Sequence, residues 1–543
     1  MEMLYVKNIL RYLLRSPKDD SVYNYSTRQF VDLTKDEISE CSELYSKHYG
    51  IYNNNAPKEK IGKNIKLSPS YYQKMYSSLP TTSISACRIG NGKLVGFAIF
   101  IRGEITEGRK YCWVTQLVVH RDYRKRGIGT KLLESAWCFS DYAIRGLATA
   151  NAVTLRTLEN VTWREINKEE IKNHEEEVRQ ILKVVPYMKD KRIVLNQTYC
   201  QINSEFYPKP EKINLKVQTK YDEELGAIQS GCEWLGLVFN DQSIKFDKKR
   251  FLHYVQFSEK NLFDAYDRML PVSQSWNKGA REEVMTILKT YPNISKDISI
   301  LDLGCGRGRH CIEFARQGFK EIVGVDKLSK VIEFAKESAK NENVTISFIQ
   351  ADVREYEGNI SGFDIVLCLY DVIGTYRDDK DNDLVLRNIK RHLKVGGLAI
   401  ISVMNMDLTE KIVGNNKLSI SKNPKRLLDL PATNAMQKSG NVFHKDMIIN
   451  TDDGLVYRKE QFRDDKGLDV EYVIADKRYT KEEFSEKLIA YGFELLEVRY
   501  VRAGAWHSKL ERYDINAKEI LFVAQKKKKW FVIEGRDGKN EDM

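Results

Sequence analysis

The sequence predicts an α/β protein of two domains. Three observations carry that expectation. The chain has 543 residues, several times the usual domain size. At two places an apolar strand pattern runs into a glycine-rich turn and then a helical pattern: Ile298–Leu303 into Gly304-x-Gly306-x-Gly308, and Lys110–His120 into Arg124-x-x-Gly127-x-Gly129-Thr130. Strand and helix patterns alternate around each of the two turns.

Composition narrows the class. Hydrophobic residues make up 42% and charged residues 30%, a globular profile. The net charge of +11 is mild for this length and leaves nucleic acid or acidic substrates open. The nine cysteines are irregularly spaced and form no CxxC pair, so neither a disulfide framework nor a zinc site is expected. No metal site is expected. Reduced, buried thiols suit a reducing, cytoplasmic compartment. No apolar run has the length of a membrane span. Lys7–Arg15 is basic and amphipathic and reads as a first structural helix, because it lacks the features of a secretory signal.

In the first domain, Phe30–Leu33 reads as a strand and Asp36–Tyr45 as a helix, followed by a polar loop over Asn53–Lys66. Strands over 83–89 and 94–101 flank Gly90-Asn91-Gly92, a hairpin signal. The strand Lys110–His120 then feeds the basic turn and a helix over Thr130–Trp137. Amides of Arg126, Gly127, Gly129 and Thr130 aim at an anion there, and Arg124 and Arg126 add charge. A strand over 143–150 follows, and Asn151 opens another helix. This order resembles the GNAT acetyltransferase superfamily over about Thr27–Trp163. The resemblance implies an acetyl-CoA site made by Val118, Val119, Arg124, Arg126, Gly127, Ile128, Gly129 and Thr130, with Asn151 on the pantetheine arm. The tyrosine that many members use to protonate the leaving thiolate falls near Leu158 here. Glu104 and Gln116 lie near the expected amine position as catalytic candidates acting through water, or as solvated or structural polar side chains. His120 reads as a surface residue.

The middle of the chain carries a charged helical pattern, Glu169–Leu182, and strand patterns RIVLNQTY, INLKVQT and CEWLGLVF. These extend the first domain over residues 1–240. Residues 241–262 read as a linker, and Asn261–Tyr291 as helical, leading into a second domain over 263–543.

The second glycine turn lies in ILDLGCGRGRH, Ile300–His310. A strand ending in Asp326 follows, then strands that place Asp352, and Tyr370 with Asp371, at their ends. A helix, a Gly396-Gly397 turn and a fifth strand complete the set. This order resembles class I S-adenosylmethionine (SAM)-dependent methyltransferases with a Rossmann-like, doubly wound sheet, over about Phe263–Gln525. The resemblance implies SAM contacts from Asp302, Gly304, Cys305, Gly306 and Gly308, a ribose acceptor in Asp326 beside Lys327, an adenine contact at Asp352 and Val353, and a methyl-donor wall over Leu369–Asp371. Asp407–Lys438 is polar with little periodicity. Alternating segments around two turns, Thr451–Gly454 and Asp464–Gly467, predict an antiparallel β lid within 407–480, before a helix over Lys481–Tyr491. Leu369-Tyr370-Asp371-Val372 lacks the [N/D]-P-P-[Y/F] run of methyltransferases acting on exocyclic amines of DNA. Lys526–Lys529 reads as a solubilising flank or a phosphate contact. Asp371 is the candidate methylation base or a helix N-cap, Tyr370 the residue that orients the acceptor, and His507 a second base or a surface histidine.

The leading reading is a bifunctional transferase using SAM and acetyl-CoA on a small molecule or peptide. Two alternatives stay open: a methyltransferase whose GNAT-like half is a binding module, and a nucleic-acid-modifying enzyme. The order of the two reactions and the oligomeric state are not set by the sequence.

Overall fold

The structure, a computed structural model, describes residues 23–527 except 80, 91, 138–141, 210–214, 246, 248–250, 252–278, 292–293, 359–361, 434–445 and 464–468. The expectations for Lys7–Arg15, Asn91, Cys138, most of 241–278, the 464–467 turn and Lys528–Lys529 lie outside these residues. The chain forms two compact units. The first comprises Met1–Phe257, Ile420–Asn434 and Lys459–Tyr472; the second comprises Ser258–Ser419, Ala435–Arg458 and Val473–Met543.

The first unit is built on an eight-stranded sheet of order β1-β2-β3-β4-β5-β8-β7-β6. Its strands are β1 Tyr23–Gln29, β2 Thr82–Ile89, β3 Leu94–Glu104, β4 Lys110–Val119, β5 Ile144–Thr149, β6 Arg192–Leu195, β7 Cys200–Asn203 and β8 Cys232–Phe239. Neighbours are antiparallel except β4 and β5. Local chemistry starts the helices. Thr34 and Glu37 form a capping box for Lys35–His48, and Ser68 caps Pro69–Tyr76 with proline in its first turn. Asn151 caps Ala152–Thr162. Three expectations change. Phe30–Asp32 is a 3-10 turn after β1, and Phe30 is buried as an anchor rather than alternating in a strand. INLKVQT does not form a strand: Leu215–Leu225 is a helix that buries Tyr221 and Leu225, one turn apart. The isoleucine, leucine and valine alternate over too short a window to reveal the helical period that Val217, Tyr221 and Leu225 carry. His120 is buried, with its ring 3.8 Å from that of His48.

Ion pairs tie the later segments into this unit. Arg164, 5% exposed, donates to the carbonyls of Thr162 and Asn240 and pairs with Asp429. Lys459, 2% exposed, pairs with Glu471 at 3.1 Å and donates to the carbonyl of Leu428.

The second unit is built on a seven-stranded sheet of order β11-β10-β9-β12-β13-β20-β19. The strands are β9 Ser299–Leu303, β10 Glu321–Asp326, β11 Ser347–Gln350, β12 Phe363–Cys368, β13 Leu393–Met404, β19 Phe493–Val501 and β20 Glu519–Lys526. The first five are parallel, and β20 pairs antiparallel with β13 and β19. Strands buried on both faces read as continuous apolar runs, which is why they were legible. The stretch expected to lack periodicity contains helices Met406–Val413 and Pro424–Leu428 and short strands β14 Lys417–Leu418 and β15 Ala432–Thr433. Elements of two to eight residues leave little pattern to read. The lid strands are β16 Ile448–Asn450, β17 Val456–Arg463 and β18 Asp469–Asp476. The antiparallel pairing of β16 with β17 agrees with the expected meander, but β14 and β15 add parallel pairs to it. Among the described residues no helix is long and apolar enough to cross a membrane, and no group of three or more His, Cys, Asp or Glu side chains is placed to hold a metal ion. The eight described cysteines are free and buried.

Candidate active sites

In the second unit, strand order reverses direction between β9 and β12, and the carboxyl ends of β9, β10, β11 and β12 lie at one edge of the sheet. A crevice at such a switch point is where doubly wound sheets receive ligands. The glycines divide their roles. Gly304 (φ +82°) and Gly308 (φ +73°) lie against Val372 and Phe348, where an added Cβ would come within 2.3 and 2.5 Å. Gly306 (φ +52°) has open space where its Cβ would stand. The outer two shape the turn, and the middle one leaves room for a ligand to approach the backbone.

Carboxylates surround this turn. Asp302 is 1% exposed and accepts from Cys311 Sγ at 3.5 Å; burial pushes its carboxyl up. Asp326 accepts the Gly306 amide at 2.9 Å and the Leu328 amide at 3.0 Å, so it fixes the loop and the next turn together. Burial raises its carboxyl as well. Asp352 sits two residues past β11. Partial burial opposes its charge, but Arg354 and Lys327 hold the carboxyl well below its ordinary range. Cys305, Val353 and Leu369 turn their side chains into the core, so only their backbone can face the crevice.

Tyr370 and Asp371 follow β12 with φ of +60° and +69°. Two consecutive non-glycine residues in the left-handed region are strained, and such strain collects at functional sites. The Tyr370 hydroxyl donates to Glu283, a residue that the sequence did not single out. Glu283 is fully buried on the helix Ala280–Thr290 and also accepts from Arg309 at 3.0 Å, His310 at 2.6 Å and the Gly504 amide at 2.6 Å. Burial works against its charge, yet His310 and Arg309 hold its carboxyl down at about 2. Asp371 Oδ1 is buried and has no hydrogen-bond partner among the described residues. Its carboxyl caps no helix, since the next one opens at Asp378. Burial pushes it up, opposed by Arg458 and Arg478. Arg478 is in turn held by Asp476 at 2.6 Å and Thr409 at 2.8 Å. Close by, Ser402 accepts the Tyr370 amide at 2.8 Å and donates to Glu519 at 2.7 Å. Burial pushes Glu519 up to about 8. His507 is exposed, and its Nδ1 lies 2.6 Å from Glu282, the residue before Glu283.

In the first unit, β4 pairs with β5 only over Tyr111–Val114 and Ile144–Leu147. Thr115 is an extra residue in β4 opposite Ile99 and Phe100, and beyond it β4 keeps β3 alone as partner. The two parallel strands therefore part and leave a wedge. The turn after β4 and Asn151 after β5 stand at its mouth. Gly127 (φ +83°) has open space around its missing Cβ. Gly129 is helical, and the left-handed residues of this turn are Lys125 and Gly127. Ile128 and Val118 are buried; Val119 and Thr130 are half-buried. Arg124 donates to the carbonyls of Val119 and His48, so its guanidinium braces the turn, and Arg126 reaches the Tyr23 hydroxyl. Asn151 Oδ1 accepts the Val153 amide. Leu158 is buried in the core. Glu104 and Gln116 are not brought together. Glu104 is exposed opposite Lys110 at the far end of β4, whereas Gln116 is buried beside the wedge and accepts from Tyr72 at 2.6 Å.

Comparison with known proteins finds both kinds of domain. An acetyltransferase (GNAT) domain model matches residues 84–165, and a methyltransferase domain model matches residues 294–450. A ubiquinone biosynthesis O-methyltransferase of Rickettsia canadensis is 35% identical over 24% of this chain and 51% of its own length. A relative from Methanocaldococcus jannaschii, named for protein N5-glutamine methylation, is 30% identical over 25% of this chain and 76% of its own length. The chain spans about half the length of the Rickettsia relatives it matches. A solved SAM-dependent methyltransferase from Clostridium acetobutylicum is 17% identical over 50% of this chain and 99% of that one, with a TM-score of 0.35. The chain thus belongs, through its Rossmann-like second unit, to the SAM-dependent methyltransferases, and it carries a GNAT domain ahead of that unit.

Proposed function

We propose that this chain is a bifunctional transferase that methylates a nitrogen or oxygen acceptor and acetylates an amine, on a small molecule or peptide in the cytoplasm. The observation that carries the methyl-transfer half is the Gly306 cradle, open where a side chain would stand and with its amide held by Asp326. Bound there, SAM would supply an electrophilic methyl sulfonium. Asp326 would accept from the ribose hydroxyls, and Asp352 with Val353 would meet the adenine. Asp371, with an unsatisfied buried oxygen, is the group that can take the acceptor's proton. The Glu283 hub holds Tyr370 in place and so fixes the backbone from which Asp371 projects.

For the acetyl half, the wedge between β4 and β5 and the open amides around Gly127 fit a pantetheine arm and a pyrophosphate. The Arg126 and Lys125 side chains carry positive charge beside them. The cytoplasmic placement is supported by the free, buried thiols. Titration calorimetry of the full chain with SAM and with CoA tests this reading. Two independent sites are expected, neither weakened by saturating the other. Failure to bind SAM would remove the methyl-transfer half, and failure to bind CoA would remove the acetyl-transfer half.

A further inference from the structure

The first unit holds a buried carboxylate that lacks a counter-ion. Glu233, on β8, is 6% exposed, and among the described residues no cation pairs with it. Its charge is felt by the phenols of Tyr45, Tyr49 and Tyr187 and by the Cys232 thiol, and the Ser204 hydroxyl lies beside it. Tyr45 stacks on Tyr49 with ring centroids 4.2 Å apart and meets Tyr72 edge-on at 6.3 Å, and Tyr76 follows at 6.2 Å from Tyr72. This wall reaches the wedge. Tyr72 donates to Gln116, and Tyr187 donates at 3.1 Å to the carbonyl of Thr115, the extra residue of β4.

Register fixes the height of Glu233 in the sheet. Leu147 of β5 lies opposite Val114 of β4 on one side and Gly236 of β8 on the other. The wedge opens just past that level. Gln116 is two residues beyond it on β4, and Glu233 is three beyond it on the antiparallel β8. Glu233 thus stands one residue past Trp234, where the pairing of β8 with β5 ends, on the other side of β5 from Gln116, and half-buried Tyr49, Tyr187 and Phe206 supply the rim.

An ionised carboxylate buried without a partner is costly, and a cation brought to it removes that cost. Aromatic faces attract the same cation. Burial has pushed the Glu233 carboxyl up to about 7, where it can both hold and release a proton at physiological pH. Among the described groups that feel its charge or lie beside it, namely Tyr45 and Tyr49, on or just after the helix Lys35–His48, Tyr187, Cys232 and Ser204, none is cationic.

We propose that Glu233 and the tyrosines around it form the acceptor site of the GNAT domain, that the acceptor is a primary ammonium, and that Glu233 takes its proton. This rests on the acetyl-transfer reading above. The N–H proton passes to the carboxylate. The nitrogen lone pair then forms the C–N bond to the acyl carbon as the C–S bond breaks. The nitrogen sheds its second proton to water, and the thiolate takes one from water, since buried Leu158 offers none.

The test is calorimetry on the full chain at pH 8, with n-alkylammonium chlorides from methyl to hexyl and the n-alcohols of matching length. At least one alkylammonium is expected to bind tenfold or more tightly than its alcohol. Glu233→Gln should abolish that preference while leaving CoA affinity unchanged, and in the wild type the preference should fade below pH 7 as Glu233 takes up a proton. Tyr49→Leu, at the rim, should weaken the cation at least threefold should the glutamine variant fail to fold. Equal affinity for cation and alcohol, no saturable binding of any alkylammonium, or an unchanged cation affinity in Glu233→Gln would each overturn the assignment. Loss of CoA binding alone would instead count against the acetyl-transfer reading and leave the ammonium site standing.

Discussion

Alanine at Gly306 and alanine at Gly304 separate the space a cofactor needs from the space the fold needs. Both glycines have positive φ, +52° and +82°, so alanine at either costs about 1–2 kcal/mol for a left-handed backbone. There the similarity ends. A Cβ on Gly306 meets nothing within 4 Å, whereas one on Gly304 would lie 2.3 Å from Val372 Cγ2. Moving Val372 adds about 1–3 kcal/mol of overpacking and disturbs the neighbouring Asp371. Gly304→Ala is therefore expected to destabilise the second unit by about 2–5 kcal/mol in denaturant unfolding. Gly306→Ala should lose only about 1–2 kcal/mol of stability, yet bind SAM at least tenfold more weakly, about 1.4 kcal/mol or more by calorimetry. A folded Gly306→Ala protein that binds SAM within twofold of wild type would refute the argument, because the open side of the loop would then not face the cofactor.

The other predictions concern the carboxylates. Asp326→Ala is expected to weaken SAM binding by about 2–4 kcal/mol, since two hydrogen bonds to a charged acceptor are lost; unchanged affinity in calorimetry would remove the ribose assignment. Asp371→Asn should leave SAM affinity nearly intact and lower methylation by about two to four orders of magnitude, and near-normal turnover would exclude a base at this position. Glu519 gives a pH dependence. Its folded carboxyl, pushed to about 8 from an ordinary 4.5, stays protonated where the unfolded one ionises, so stability is fully present below about pH 4.5 and falls as pH rises to about 8. At ~1.4 kcal/mol per pH unit the loss is on the order of 3–5 kcal/mol, and Glu519→Gln should flatten that slope. An equal slope in the variant, followed by denaturant unfolding at pH 5 and pH 8, would assign the dependence elsewhere.

The parts of this protein that could be read from sequence are those whose physics is local. Ile300–Leu303 is apolar but for Asp302 because β9 is buried on both faces, and the glycines after it announce their turn by composition. Asn151 announces a helix start for the same reason. INLKVQT misled because three alternating apolar residues fit a strand as well as the start of a helix. The carboxylates that matter most were invisible for another reason. Glu283 looks like one more charged residue on an amphipathic helix, and its partners Arg309, His310, Tyr370 and Gly504 lie up to 221 residues away. Glu233 and Glu519 sit in apolar strands where only the folded sheet shows what surrounds them. Likewise Glu104 and Gln116 look like neighbours on a hairpin until the register sets Glu104, the last residue of β3, beside Lys110 at the start of β4 and Gln116 beside Ile99.

The division of the chain into discontinuous units bears on the order in which the protein matures. The first unit includes Ile420–Asn434 and Lys459–Tyr472, and it buries Arg164 against Asp429. A ribosome that has finished Phe257 has made most of that unit but not the segments that complete it. At about 5–20 residues per second, the stretch from there to Tyr472 takes on the order of 10–40 s to emerge. During that interval Arg164 has no Asp429 to meet, and the nascent chain presents an unfinished surface that chaperones could occupy. A gene fragment ending near residue 240 would hold the protein permanently in that unfinished state. Measurements on the GNAT domain therefore belong on the full-length protein.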